Sequence, residues 1–188
     1  MKEGKLFILS GPSGVGKGTV LRELLRQRKD LVYSVSATTR PPRPGEVNGK
    51  DYFFLTPEDF QKGIEENLWL EWARVHNHLY GTPRDFVEKT LQAGKHIILE
   101  IDVQGARQIK KKCPEGVFIF LAPPSLEELA QRLEKRGTDS SQEKEIRLQN
   151  ALQEMEEQDD YNYIVINDEL QETVNRIKRI ICDEERGN

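Results

Sequence analysis

The chain has 188 residues, enough for one compact domain with inserted subdomains, and its 32% charged and 36% hydrophobic content is that of a globular protein with more charge than average. A formal net charge of −4 argues against a general nucleic-acid binder, which is usually basic. Cys113 and Cys182 stand far apart in no metal-ligand spacing and read as inert thiols of a reducing compartment; no apolar run reaches membrane-spanning length and the N-terminus lacks the apolar core of a signal peptide, so no membrane partner and a cytoplasmic location are expected.

In chain order, residues 6–9 form a short apolar run that ends at a Gly/Pro/Ser turn and read as a buried strand. The next helix opens near Lys17 and carries Val20, Leu21, Leu24 and Leu25 at helical spacing. Residues 31–35 read as a second strand. Residues 40–50, with three prolines, Gly45 and Gly49, read as loop and turns. Residues 52–55 read as a short strand. Thr56-Pro57 then starts a helix, with Thr as N-cap and Pro at the first position, whose apolar face is Phe60, Ile64 and Leu68. Thr82-Pro83 repeats that start signal. Residues 96–101 and 117–121 are nearly unbroken apolar runs, the pattern of parallel strands buried on both faces. Ser125 and Glu128 form a capping box for a helix with Leu126, Leu129 and Leu133, and Gly137 fits its stop. Residues 140–161 are highly charged, helical in the middle and poor in core residues. Residues 163–166 read as the last strand, followed by an amphipathic helix with Leu170, Val174, Ile177 and Ile181 on one face. Strands alternating with helices predict a doubly wound α/β fold, with residues 34–82 and 125–161 as insertions.

Residues 11–17 read Gly-Pro-Ser-Gly-Val-Gly-Lys, the pattern G-x-x-x-x-G-K between a strand and a helix. That context is what a phosphate cradle needs. Backbone N–H groups turn inward toward phosphate oxygens, and the helix N-terminus adds partial positive charge. Glycines 11, 14 and 16 permit the turn, and Lys17 reaches the terminal phosphates. The Gly11, Pro12, Ser13, Gly14, Val15, Gly16, Lys17, Gly18 and Thr19 stretch is therefore the expected site for the phosphates of a nucleoside triphosphate. Gly18 stands where a Ser or Thr hydroxyl usually touches magnesium, so Mg2+ is expected through water and phosphates.

Beyond the loop the chain reads Ser34-Val-Ser-Ala-Thr-Thr-Arg40-Pro-Pro-Arg43-Pro-Gly-Glu-Val-Asn-Gly-Lys-Asp-Tyr52, then Leu70-Glu71-Trp72-Ala73, Tyr80-Gly81-Thr82, Glu100-Ile101-Asp102-Val-Gln-Gly105 and Ile166-Asn167-Asp168. This resembles guanylate kinases over essentially the whole chain. The resemblance implies a P-loop parallel-sheet core with helices on both faces, over residues 1–33, 83–124 and 162–188. It implies an inserted GMP-binding subdomain at 34–82 and a helical lid at 125–161. The implied activity moves the γ-phosphate of ATP, with Mg2+, to GMP or dGMP. By position, Arg40, Arg43, Tyr52 and Tyr80 would hold the GMP phosphate, and Ser36, Glu71 and Thr82 would contact guanine or its surroundings. Arg132, Arg136 and Arg147 of the lid, with Lys17, would act on the transferring phosphate. Asn167 would lie near the adenine of ATP.

The residue chemistry agrees. Planar guanidinium forks suit phosphate oxygens. An ionised carboxylate is acceptor-only and can take both the ring N–H and the exocyclic amine of guanine, so Glu71 suits the base; its other reading is an exposed helix glutamate. Glu100 and Asp102 share one face at the C-terminal end of a buried strand, the edge at which open α/β sheets bind ligands. They are read with the GMP site, Asp102 also near magnesium or as the N-cap of the next helix. Two rivals remain at this stage: a non-catalytic guanylate-kinase-like module that binds phosphopeptides, and a kinase for another phosphorylated acceptor.

Overall fold

The computed structural model describes residues 3–134 and 141–187. Its strands are β1 (Leu6–Ser10), β2 (Val32–Tyr33), β3 (Ala37–Thr38), β4 (Phe53–Phe54), β5 (Trp69–Val75), β6 (His78–Pro83), β7 (Ile97–Glu100), β8 (Val117–Ala122) and β9 (Tyr163–Ile166). Its helices are α1 (Lys17–Gln27), α2 (Pro57–Glu65), α3 (Arg84–Gln92), α4 (Val103–Lys112), α5 (Leu126–Glu134), α6 (Ser141–Met155) and α7 (Leu170–Arg186). The chain falls into two compact units. The first comprises Met1–Leu6, Asp30–Leu99 and Gln104–Gly116, and the second Phe7–Lys29, Glu100–Val103 and Val117–Asn188.

In the second unit the apolar runs become parallel strands. β1 pairs β8, with Phe7 opposite Val117 and Ser10 opposite Phe120, and β8 pairs β9, with Ile119 opposite Tyr163. Every residue of β1 and β8 is buried, which is why neither run alternates in polarity. Val20, Leu21 and Leu24 of α1 and Val174, Ile177 and Ile181 of α7 are buried, as their helical spacing predicts. Ser125 caps α5 through its hydroxyl, which accepts from Glu128 N–H at 3.1 Å. Leu129, Leu133 and Ala151 form a small cluster of their own with Leu148, whereas Leu126 is left 46% exposed. The expected stop at Gly137 lies outside the described residues.

The first unit holds a parallel pair, β2 with β7, extended by Ser34 N–H donating to Ile98 O at 3.1 Å. It also holds a four-stranded sheet in the order β4-β3-β6-β5. This second sheet is the main departure from the sequence reading, which named no strand between residues 56 and 95. Helix α2 begins as predicted, with Thr56 Oγ1 accepting from Asp59 N–H at 3.1 Å. It ends at Glu65, because Asn67 turns into the left-handed region at φ 57°. Leu68 therefore lies off the helix and is 49% exposed. Phe60 and Trp69 stack at 4.7 Å between ring centroids and anchor a core of Ala37, Phe60, Trp69 and Leu79 under the sheet. Gly81 leaves them room, since a β-carbon there would lie 2.9 Å from Phe60 Cζ. Among the described residues, no helix is long and apolar enough to cross a membrane.

Candidate active site

Within the second unit, the turn between β1 and α1 runs through positive φ at Gly11 (147°), Gly14 (82°) and Gly16 (99°). A β-carbon at Gly11 would lie 2.3 Å from the carbonyl oxygen of Leu121, so the strand end tolerates no side chain there. Gly16 is the N-cap of α1 in the left-handed conformation. No side chain caps that helix and its first turn holds no acid. Its N-terminal amides and partial positive charge are thus presented to an anion.

Side chains from distant segments fix the loop. Val15 is fully buried, and its carbonyl accepts from Asn167 Nδ2 at 2.8 Å and from Arg132 Nη1 at 3.2 Å. Arg132 also donates to the Asn167 carbonyl at 3.1 Å and to Glu128 at 2.6 Å. The Lys17 ammonium donates to the carbonyls of Gly11 (2.7 Å) and Pro12 (3.2 Å), folded back along the loop. Gly18 and Thr19 are exposed.

The sequence reading missed Glu154. Its carboxylate accepts from Ser13 N–H at 3.0 Å, tying α6 to the phosphate loop. Burial raises its pKa above the ordinary carboxylate value; the Ser13 N–H and Lys17 work against the rise, and Asp102 and Glu157 add to it. One signal for it lay in the spacing of Arg147, Ala151 and Glu154, which puts all three on one face of α6. Asp102 and Glu100, at the end of β7, belong to this unit and are partly buried. Arg147 is partly buried on α6, and Arg136 lies outside the described residues.

Within the first unit, β5 and β6 pair antiparallel with Glu71 opposite Thr82. Both are buried, Glu71 at 3% and Thr82 at 0% exposure. The Thr82 hydroxyl donates to Glu71 Oε1 at 2.6 Å. This excludes one alternative reading and corrects one expectation. Glu71 is a strand residue, not an exposed helix glutamate. Thr82 is no N-cap: it ends strand β6 with Pro83, Pro83 takes the cap position of α3, and no side chain caps that helix. The Thr82 hydroxyl serves the buried carboxylate because cross-strand pairing puts that group within reach. Ser36 is 6% exposed beside β3, its carbonyl accepting from Phe53 N–H at 2.9 Å.

Arg40 lies against aromatic rings, its guanidinium 5.4 Å from the centroid of Tyr52 and 5.9 Å from that of Phe54. Tyr52 and Tyr80 meet edge to face at 5.9 Å. Arg40 donates to Glu46 at 2.8 Å. The other Glu46 oxygen accepts from the backbone N–H of Arg43 at 2.7 Å, while the Arg43 side chain is exposed. Burial works against the charge on Arg40, but bonding to Glu46 and the proximity of Tyr80 outweigh it, and its pKa is raised. The Arg40 bond in turn holds Glu46 below the ordinary carboxylate value. Glu46, also unforeseen, is the acid three residues after Arg43 in a turn closed by Glu46 N–H donating to Arg43 O at 3.0 Å. Such local closure is the signal it offered.

A buried parallel strand, a glycine turn, an uncapped helix N-terminus and an adjoining lysine define a P-loop nucleotide-binding protein. The family description "Guanylate kinase" matches residues 3–184. The chain belongs to the guanylate kinase family. It is 52% identical to the guanylate kinase of Caldanaerobacter subterraneus subsp. tengcongensis over 97% of this chain and 89% of that one. It is 53% identical to that of Bacillus cereus, over 97% of this chain and 90% of the other. The solved guanylate kinase of Anaplasma phagocytophilum superposes with a TM-score of 0.83 at 35% identity, covering 97% of this chain and 87% of its own.

Proposed function

We propose that this chain is a catalytic guanylate kinase that moves the γ-phosphate of ATP onto the phosphate of GMP, giving ADP and GDP. The observation that carries the reading is the buried carboxylate of Glu71, 3% exposed, in a chain that keeps the G-x-x-x-x-G-K loop through Lys17. An ionised carboxylate away from water needs donors. Thr82 supplies one at Oε1. Guanine offers two more on adjacent positions, whereas adenine presents a lone pair where guanine has its ring N–H. Ser36 stands with Glu71 as a base contact, and Arg40, Arg43, Tyr52 and Tyr80 hold the acceptor phosphate.

The reaction is in-line displacement with no covalent enzyme intermediate. The acceptor is already a phosphate oxygen, so positioning and charge neutralisation carry the catalysis rather than a strong base. The loop amides and Lys17 hold the donor phosphates. Lys17 leaves the Gly11 and Pro12 carbonyls for the terminal phosphates when ATP enters. Arg132, Arg136 and Arg147 add positive charge as the lid, residues 125–161, closes and excludes water. Residues 34–82 form the GMP subdomain, and the rest is core.

The oxygen donors near the loop suit magnesium, with Asp102 close enough to Glu154 to affect its ionisation. Asp102 and Glu100 would hold the ion through water, while Gly18 contributes no hydroxyl. Bound there, magnesium would neutralise charge on the phosphate oxygens. ATP, GMP and dGMP are the small-molecule partners, in the cytoplasm.

An ADP-release assay over a panel of nucleoside monophosphates tests the proposal. Release with GMP and dGMP, at background with AMP, CMP and UMP, is expected. Absence of turnover with every acceptor would return the chain to a non-catalytic phosphate-binding module, and preference for another acceptor would sink the base assignment.

A further inference from the structure

The terminal strand of the four-stranded sheet is closed by a helix face rather than by another strand. β5 is the last strand in the order β4-β3-β6-β5, so among the described residues its outward backbone groups have no strand partner. Gln104, Gln108 and Lys112 stand at four-residue intervals on one face of α4. The Lys112 ammonium donates to the carbonyl of Leu70. The Gln108 amide nitrogen donates to the carbonyl of Trp72 at 2.6 Å, and its amide oxygen accepts from Trp72 N–H at 3.3 Å. Gln104 donates to the carbonyl of Arg74 at 3.4 Å. Residues 112, 108 and 104 thus meet residues 70, 72 and 74 in an antiparallel ladder of side chains on backbone. The two spacings match: four helical residues rise about 6 Å, and two strand residues span about 6.8 Å.

The ladder grips the part of β5 where the strand departs from regular pairing. The register with β6 shifts between Trp69 and Glu71, which leaves Leu70 as the additional residue of a bulge. Trp69, Leu70, Glu71 and Ala73 are all buried, while Trp72 and Arg74 are exposed. The bulge changes the phase of the strand so that Glu71 points inward to Thr82. Lys112 and Gln108 hold the peptide groups on either side of Glu71.

We infer that Gln108, with Lys112, is a positioning residue for base recognition: by holding the Leu70 and Trp72 peptides it sets the direction of the Glu71 carboxylate. The inference rests on Glu71 reading guanine. Gln108 bonds to the Trp72 backbone and would act through Glu71, so its loss should appear in discrimination between bases rather than in handling of ATP. Gln108→Ala removes both bonds to Trp72, and Lys112→Ala removes the hold on the bulged carbonyl. Gln108→Glu keeps the acceptor for Trp72 N–H but sets a carboxylate against the Trp72 carbonyl. Gln104→Ala removes the rung farthest from Glu71.

The test is steady-state kinetics of each purified variant with GMP, and with inosine monophosphate, which lacks the exocyclic amine. For Gln108→Ala the KM for GMP should rise about tenfold, equivalent to about 1.4 kcal/mol. Its KM for ATP should stay unchanged, and its preference for GMP over inosine monophosphate should narrow by a similar factor. Lys112→Ala should follow it, Gln108→Glu should recover part of the preference, and Gln104→Ala should change little. Equal losses for both acceptors, an altered KM for ATP, or an effect of Gln104→Ala as large as that of Gln108→Ala would overturn the inference. Glu71→Gln is measured alongside. If it loses the preference and Gln108→Ala keeps it, the positioning role alone falls. If Glu71→Gln keeps the preference, base reading by Glu71 falls, and the positioning role with it.

Discussion

The phosphate loop and the pair proposed to read the base are built from different parts of the chain. The loop offers backbone N–H groups of neighbouring residues, Pro12 excepted, to the proposed ATP phosphates, and most of its geometry follows from three glycines and the helix behind them. The proposed base site is built from side chains on separate strands. Glu71 and Thr82 meet only because β5 and β6 are in one register, and that register contains a bulge. A backbone site is written as a contiguous motif. A side-chain site is written in pairing, so it is both easier to miss in a sequence and easier to break by a change elsewhere.

The sharpest break is at the loop. Lys17→Ala should lower kcat by about 10³-fold through lost charge stabilisation in the transition state, with a far smaller effect on Tm, from loss of its bonds to the Gly11 and Pro12 carbonyls. Near-normal kcat would remove the loop from catalysis. Glu71→Gln should lower kcat/KM for GMP about 10²-fold, as one acceptor oxygen becomes a donor amide facing donors. ATP handling should be unaffected, so the GMP-to-AMP ratio narrows. Arg43→Ala should instead weaken GMP and AMP alike, since its proposed contact is to phosphate alone.

Glu46→Ala tests whether the acceptor phosphate site is as delocalised as the base site. Without Glu46, Arg40 keeps the Pro41 carbonyl but loses its charged partner, and the KM for GMP should rise about tenfold. An unchanged KM would mean that the Pro41 carbonyl and the aromatic rings suffice to hold Arg40. Because the Glu46 pKa is depressed in the folded protein, its pairing contributes above the unfolded value and is lost as pH falls through the folded one.

The smallest effect is expected at Glu154. Its pKa is raised, so the stability it contributes is complete below the unfolded value and is lost as pH rises through the folded one. Glu154→Gln keeps an oxygen for the Ser13 N–H and carries no charge. Its Tm should equal that of the parent in acid and exceed it by about 2 °C at neutral pH. A variant less stable than the parent at neutral pH would show that the charge itself, drawn by Lys17, holds α6 to the loop.

What the sequence determined by itself was everything that local rules encode. The glycine turn with Lys17 needs no distant partner to be recognised, and the runs that became β1 and β8 read as buried strands because neither alternates in polarity. Spacing alone placed the buried faces of α1 and α7, and hydroxyl chemistry alone placed the caps at Thr56 and Ser125. The position of Glu71 in a segment shared with guanylate kinases was visible too. The tertiary structure alone decided that Thr82 donates to Glu71 instead of capping a helix, that Asn167 and Arg132 hold the Val15 carbonyl, and that Glu154 reaches Ser13 across 141 residues of sequence. It also decided that a helix face completes the edge of β5. The physical reason is common to all four. A hydroxyl, a carboxylate or an amide has several partners of nearly equal worth, each net hydrogen bond contributing only about 0.5–1.5 kcal/mol. The choice among them falls to whichever partner the packing of apolar residues brings within reach, and that packing is a property of the whole chain.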